Sequence, residues 1–333
     1  MAVPIILGVV AAGSALYGVY KGINGAIDQN DASGINNDAK TMVDQARSLV
    51  ATQREATNGV LEDYGSRKLR AFNGVIADFI DTFGRLKNVD IIETAELDKL
   101  QQGDFSTLSL EDLQKDYQLL KDAGLGVGAG LGGGAAVAFG AYNGTMLLGT
   151  ASTGTAISTL SGAAATNATL AWLGGGAISA GGGGVALGTA VLGGLVAGPA
   201  LAIFGHIVGN KAEAALNDAR SNLEKAKTIR DDAALTTKKL KAIQEVTTLA
   251  NSTFSKVSSQ LRRSVSDLRS TIDTHGEDYQ AYSSDARQTV FRSVKFAQLI
   301  KAMIDTPILQ QDGQLVETTK ARVQDIGQAA SGQ

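Results

Sequence analysis

Two histidines and one glycine run are where chemistry could be sought in this chain. His206 and His275 are the only imidazoles in 333 residues. They are too few and too far apart in sequence to make a metal constellation. Gly128-Ala129-Gly130-Leu131-Gly132-Gly133 fits the G-x-G-x-x-G pattern. A dinucleotide site needs a strand before that run, a helix after it and an acidic residue about 20 positions on. Here a helical pattern precedes the run, and no Asp or Glu occurs before Glu213. There is no P-loop pattern. The chain has no cysteine, which removes disulfides, thiolate metal sites and cysteine nucleophiles together. The Asp and Glu residues fall on what helical periodicity makes solvated faces. The expectation is a protein that is not an enzyme, with no catalytic residue, no cofactor and no metal. With 30 Lys plus Arg against 33 Asp plus Glu, it also lacks the basic excess that phosphate recognition needs, so no nucleic-acid partner is expected.

The chain is instead organised around residues 123–210. These 88 positions contain no Lys, Arg, Asp or Glu, and they hold 25 of the 40 glycines. Apart from Tyr142, His206 is the only ionisable side chain there. It lies near the end of an apolar run, where an interfacial histidine is unremarkable. The block divides into an apolar, glycine-dense part (124–149), a turn with nine Ser or Thr residues (150–169) and a second apolar part whose strongest span is 185–208. Two spans joined by the polar turn predict a membrane hairpin. Its inserting side chains are Leu125, Val127, Leu131, Val137, Phe139, Leu147, Leu148, Trp172, Val185, Leu187, Val191, Leu192, Leu195, Val196, Leu201, Ile203, Phe204 and Ile207. Trp172, the only tryptophan, reads equally as an interfacial anchor or as a core residue of a folded head. Glycines four apart let helix backbones approach closely where packing drives association. The helix-packing set is Gly124, Gly128, Gly132, Gly184, Gly188, Gly194, Gly198, Gly205 and Gly209, and Gly140 with Gly144 repeats the spacing. Each glycine also weakens an isolated helix by ~1 kcal/mol relative to Ala. The hairpin is therefore expected to be helical only once packed or inserted.

The flanks must carry this block. Residues 1–27 form an apolar N-terminal helix, uncharged from Val3 to Tyr20, with Lys21 after the run rather than before it. A secretory signal peptide would carry its basic residues first, so none is expected. Residues 28–37 read as a turn-rich linker. Residues 38–122 form a first coiled-coil part. Its long helix, ending near Lys87, shows Ala39, Val43, Ala46, Val50, Ala56, Val60, Tyr64, Leu69, Phe72, Ile76, Phe79, Phe83 and Leu86 at steps of mostly three or four. At 1.5 Å per residue such a helix is roughly 75 Å long and needs partners throughout. Ser109 caps a short helix running to Asp122. Residues 211–333 form a second coiled-coil part: a long helix from Lys211 to about Ile272, a break at residues 273–276, a helix over 277–305 stopped by Thr306-Pro307, a tight turn at 311–314 and a last helix over 317–328. The fold class is all-α, an elongated bundle of long helices with a central glycine-rich apolar membrane hairpin.

Long helices around an apolar hairpin, with an extra apolar N-terminal helix, resemble the α-helical pore-forming toxins. The relevant set is the cytolysin A type and the tripartite haemolysin and enterotoxin components of bacteria. The resemblance is one of layout, and it covers most of the chain. It implies a bundle that holds a hydrophobic head, releases it on membrane contact and then oligomerises, with 124–149 and 185–208 as the head and 3–20 as an inserting helix. The expected partners are a lipid bilayer and further copies of the chain or related subunits. The expected location is membrane-associated, with a soluble form before insertion. The alternative is a resident, non-lytic membrane scaffold or a membrane-associated coiled-coil effector.

Overall fold

The computed structural model describes residues 30–89, 110–122, 139–141, 212–310 and 313–331. These are mostly helical, with no strand among them. The all-α expectation holds for them. Six α-helices are described: α1 (Asn30–Ala71), α2 (Ala77–Phe83), α3 (Leu110–Asp122), α4 (Ala212–His275), α5 (Ser284–Asp305) and α6 (Thr319–Ser331). A π-helical turn (Phe72–Ile76) joins α1 to α2, and a 3₁₀ turn (Tyr279–Ala281) precedes α5.

The described residues fall into two compact units, and both α1 and α4 contribute to each. The first contains residues 30–59 and 212–245 with 309–310 and 313–315. Here α1 presents Ala39, Val43, Ala46 and Val50, and α4 presents Ala219, Ala226, Ile229, Ala233, Leu240 and Ile243, all buried. Polar side chains pin the pair. Asn222 donates to Asn36 at 3.2 Å, Gln53 to Gln244 at 2.6 Å, and Thr57 Oγ1 lies 3.2 Å from the Leu240 carbonyl. From Asn36–Asn222 to the Gln53–Gln244 and Thr57–Leu240 contacts both helices advance, so α1 and α4 run parallel in this unit. The helix already includes Asn30, inside the stretch that reads as a linker. Asn36, buried and bonded to Asn222, gains a tertiary partner that outweighs weak helix propensity.

The second unit contains residues 60–89, 110–122, 139–141, 246–308 and 316–331. Arg67 donates to Asn251, Arg269 to Thr82 and Arg85 to Asp273, again in parallel register. Gly276, at φ 84°, ends α4, and its amide returns to the Ile272 carbonyl. The chain then pairs Lys87 with Asp278 through Lys87 N–H to Glu277 O (2.7 Å) and Tyr279 N–H to Lys87 O (3.1 Å). Ser283 caps α5 by accepting from the Ala286 amide, so the helix expected from residue 277 starts at Ser284, after the 3₁₀ turn. Leu268, Ile272, Tyr282, Ala286 and Val290 form a cluster, with Phe83, Leu86 and Tyr279 packed on it. Thr319 of α6 donates to the Pro307 carbonyl, and α6 buries Val323 and Ile326.

The stripe read from the sequence slips by one residue at three places on α1, one of them Val60, which is half-buried while Leu61 is fully buried. Ala56 is exposed and Leu69 half-buried, while Thr57 and Lys68 take the buried positions. Their polar ends find partners, and the helix rotates to bury those side chains instead.

Phe254 of α4 is fully buried and meets Tyr64 edge-on at 5.9 Å. Phe254→Ala should lower unfolding free energy by about 3–5 kcal/mol, read as a shifted urea midpoint in far-UV circular dichroism with the helical content of the folded baseline retained.

Candidate functional site

The second unit is built around charge that does not reach water. Down α1 and into the π turn, the steps Leu61, Tyr64, Lys68 and Phe72 follow one buried face. Three apolar or aromatic residues and one lysine therefore share a core position. The π turn starts at Phe72, and with its wider winding Phe72, Val75 and Ile76 are all buried.

Lys68 is fully buried. Its amine sits 4.4 Å from the centroid of the Tyr64 ring and 6.0 Å from that of Phe139. It donates to two carbonyls, Phe139 O and Ile304 O, both at 3.4 Å. A cation over an aromatic face is attracted by the ring quadrupole, but two long bonds and a ring are a poor replacement for water. Burial accordingly pulls the Lys68 amine down to about 7, with the nearby Asp305 carboxylate resisting that shift. Burial also pushes the Tyr64 phenol well above its ordinary value. The phenol stays neutral and donates to the Met303 carbonyl at 3.3 Å.

Next to it lies a second buried cation. Lys301 of α5 is 2.8 Å from Asp116 of α3 and 2.5 Å from Asp305. Burial works to lower the Lys301 amine, but the bonds to Asp116 and Asp305 outweigh it and hold the amine above its ordinary value. Burial raises the Asp305 carboxyl, opposed by Lys301, Lys68 and Arg322 of α6. Removing one partner of such a buried pair costs ~3–5 kcal/mol, because the other charge is stranded. The reading that Asp and Glu lie on solvated faces is thus corrected for Asp116, which is 7% exposed. It was drawn into the core by Lys301 opposite.

Residues 139–141 complete the site, and they belong to the uncharged glycine-rich block. Phe139 is 1% exposed and packs edge-on against Phe72 at 6.4 Å. Ala141 is fully buried, and its carbonyl accepts from the Ile308 amide at 2.8 Å. Between them, Gly140 lies against the backbone of α1. A Cβ there would come 2.0 Å from the Leu61 carbonyl oxygen, 2.9 Å from its carbon and 3.1 Å from the Gly65 nitrogen. No side chain fits, because the obstacle is backbone rather than a rotatable group.

Of the residues assigned to insertion, Phe139 alone is described, and it lies inside the bundle. Leu125, Val127, Leu131, Val137, Leu147, Leu148, Trp172, Val185, Leu187, Val191, Leu192, Leu195, Val196, Leu201, Ile203, Phe204 and Ile207 lie outside the described residues. So do the nine helix-packing glycines, His206 and the N-terminal segment 1–27. His275 is exposed at the end of α4, its ring 6.0 Å from Tyr282. Among the described residues no helix is long and apolar enough to cross a membrane, and no group of three or more His, Asp or Glu could hold a metal ion. Sequence reasoning missed Lys68, Lys301, Asp116 and Asp305. The signal for Lys68 was present, since Leu61, Tyr64 and Phe72 stand at helical spacing on either side of it.

Comparison of the chain with protein-family models, with curated proteins and with solved structures finds no match in any of the three.

Gly140→Ala should expel residues 139–141 from the bundle. Thermolysin cleavage at Phe139 should accelerate at least about tenfold, the effect of only ~1.4 kcal/mol of lost docking. Gly59→Ala, where an added Cβ meets nothing within 4 Å, should leave the rate unchanged.

Proposed function

We propose that this chain is a membrane-inserting α-helical protein of the pore-forming kind, which stores its apolar glycine-rich block against a water-facing helical bundle and oligomerises once that block enters lipid. One observation carries the reading. A three-residue piece of an 88-residue stretch without Lys, Arg, Asp or Glu is held in a bundle core by a close backbone contact and a buried amine. Gly140 and Phe139 are thereby kept from water by elements that are themselves charged and solvated on their outer faces. The cohesion that holds them is ordinary packing, which a bilayer also supplies. Transfer from bundle to lipid therefore exchanges one apolar environment for another.

The charge pattern supports the same reading. Lys121 and Asp122 precede the block, and Lys211 and Glu213 follow it. A hairpin entering lipid would leave both ends at one surface, with the charged helices in water. The glycines four apart would serve helix packing inside the bilayer, where small residues let backbones meet. The partners on this reading are the lipid bilayer and further copies of the chain.

The test is dye release from liposomes, with size-exclusion chromatography of the same protein before and after lipid. A soluble species that becomes larger and releases dye is expected. Leu195→Asp places a charge in the strongest apolar span at a cost of roughly 2.5–3.5 kcal/mol if that position sits mid-bilayer. It should abolish release while leaving the helical content of the soluble form intact. A protein that needs detergent throughout and releases nothing would overturn the pore reading in favour of a resident membrane scaffold.

A further inference from the structure

The clasp on residues 139–141 has a charge balance of its own. Around the Lys68 amine stand Tyr64 from α1, Asp305 and Lys301 from α5, Asp116 from α3 through Lys301, and Arg322 from α6 through Asp305. At this level α4 presents Phe254, and residues 139–141 bring a ring and backbone carbonyls. Among the described residues, Lys301 and Arg322 against Asp116 and Asp305 make two charges of each sign. The cluster is balanced when Lys68 is neutral and carries one buried positive charge too many when it is protonated.

We propose that Lys68 is an acid-sensitive clasp: uptake of a proton by its buried amine weakens the closed packing and frees residues 139–141 from the bundle. The inference rests on the reading that the apolar block is delivered to lipid, and it names what controls the delivery. A protonated amine at this position has only two carbonyls at 3.4 Å and a ring face in place of its hydration. Released into water it regains full solvation, so the charged form favours the open state. Phe139 is tied directly to the switch, because its carbonyl is one of the two acceptors and its ring lies against Phe72 one turn away. Ile304, the other acceptor, adjoins Asp305, and Ala141 is bonded to Ile308 just beyond. One amine therefore links the docked segment to the end of α5.

The direction follows from where each state binds the proton. Closed, the amine titrates at about 7; released, it returns to the ordinary lysine value near 10.5. The open state holds more protons between those values, so closed stability rises with pH across that window and is lost as pH falls toward 7. Below about 7 both states are protonated and the effect levels off. Asp305 acts in the opposite sense at lower pH. Its raised carboxyl binds a proton more readily in the closed state, which bounds the response on the acid side. Lys301 is held high and stays charged throughout.

The absence of native cysteine gives a direct readout in the full-length chain without lipid. Ala141→Cys places a thiol at a fully buried position. Its labelling by a methanethiosulfonate reagent is normalised at each pH to the same reaction of Ser259→Cys on the exposed face of α4. The normalised rate should rise about tenfold from pH 8 to pH 6 and flatten below. Lys68→Met should label slowly at every pH. Asp305→Asn removes the carboxylate that supports the protonated amine and should move the midpoint to lower pH. A flat profile for Ala141→Cys alone, or an undiminished rise in Lys68→Met, would overturn the proposal. Should Lys68→Met lose its helical circular dichroism, Asp305→Asn decides: an unmoved midpoint overturns the clasp, and an acid-shifted one upholds it. Dye release separates the two readings. Acid-dependent labelling with no release at any pH keeps the clasp and removes the membrane role. Release with pH-independent labelling keeps the membrane role and removes the clasp.

Discussion

A lysine amine shut away from water is the constraint on which the second unit depends. Lys68 cannot be replaced in the sequence pattern by reading its neighbours, because every neighbour on its face is apolar: Leu61, Tyr64 and Phe72. The folded chain must therefore bring acceptors to it, and it does so from two directions. One is the end of α5, through Ile304 O; the other is the glycine-rich block, through Phe139 O. The docked segment is thus not merely apolar surface covered by a bundle. It supplies an acceptor to the bundle's own buried amine. While the amine is shut away from water, residues 139–141 supply one of its two carbonyl acceptors, which is a reason for the three residues to sit where they do.

The same logic of buried polar groups seeking specific partners orders the long helices. Apolar stripes on α1 and α4 would allow either orientation and several registers, since Ala, Val and Leu interdigitate without preference for one offset. Asn36 with Asn222, Gln53 with Gln244 and Arg67 with Asn251 do not. Each is satisfied only when the helices lie parallel and near one offset, and an unmatched buried amide would cost about 1–3 kcal/mol. Packing supplies cohesion here, and hydrogen bonds supply the choice among packings.

How much of this was legible follows from what each feature depends on. Helix type and length depend on periodicity, so α4 was readable almost to the residue, expected over 211–272 and found over Ala212–His275. Helix ends depend on single partners. That α1 already covers residues 30–37 was hidden because the helix carries Asn36, whose partner is 186 residues away on α4. Face assignment depends on treating polar residues as exposed, and that rule fails at Thr57, Lys68 and Asp116, where the tertiary fold provides acceptors or a counter-charge. The parallel pairing, the π turn and the ionic cluster each need two or more distant segments, and no local pattern encodes them. Gly140 was visible as a packing glycine through its spacing from Gly144. That its contact would be with Leu61 and Gly65 of the bundle was not.

A stretch rich in glycine suits both of the environments proposed for it because its contacts are made by backbone. A backbone surface without side chains packs wherever another backbone can approach, and it does not distinguish a helix in water from a helix in lipid. The contact of Gly140 with Leu61 is of this kind: close, shape-dependent and indifferent to solvent beyond the contact. Such a contact can hold a segment without committing it, because breaking it exposes little apolar area at that residue itself. What commits the segment is its neighbours, Phe139 buried against Phe72 on one side and the Ala141 carbonyl bonded to Ile308 on the other. Glycine then gives access, the aromatic ring gives affinity, and the Lys68 amine, bonded to the carbonyl of that same phenylalanine, is the one member of the set whose strength changes with charge.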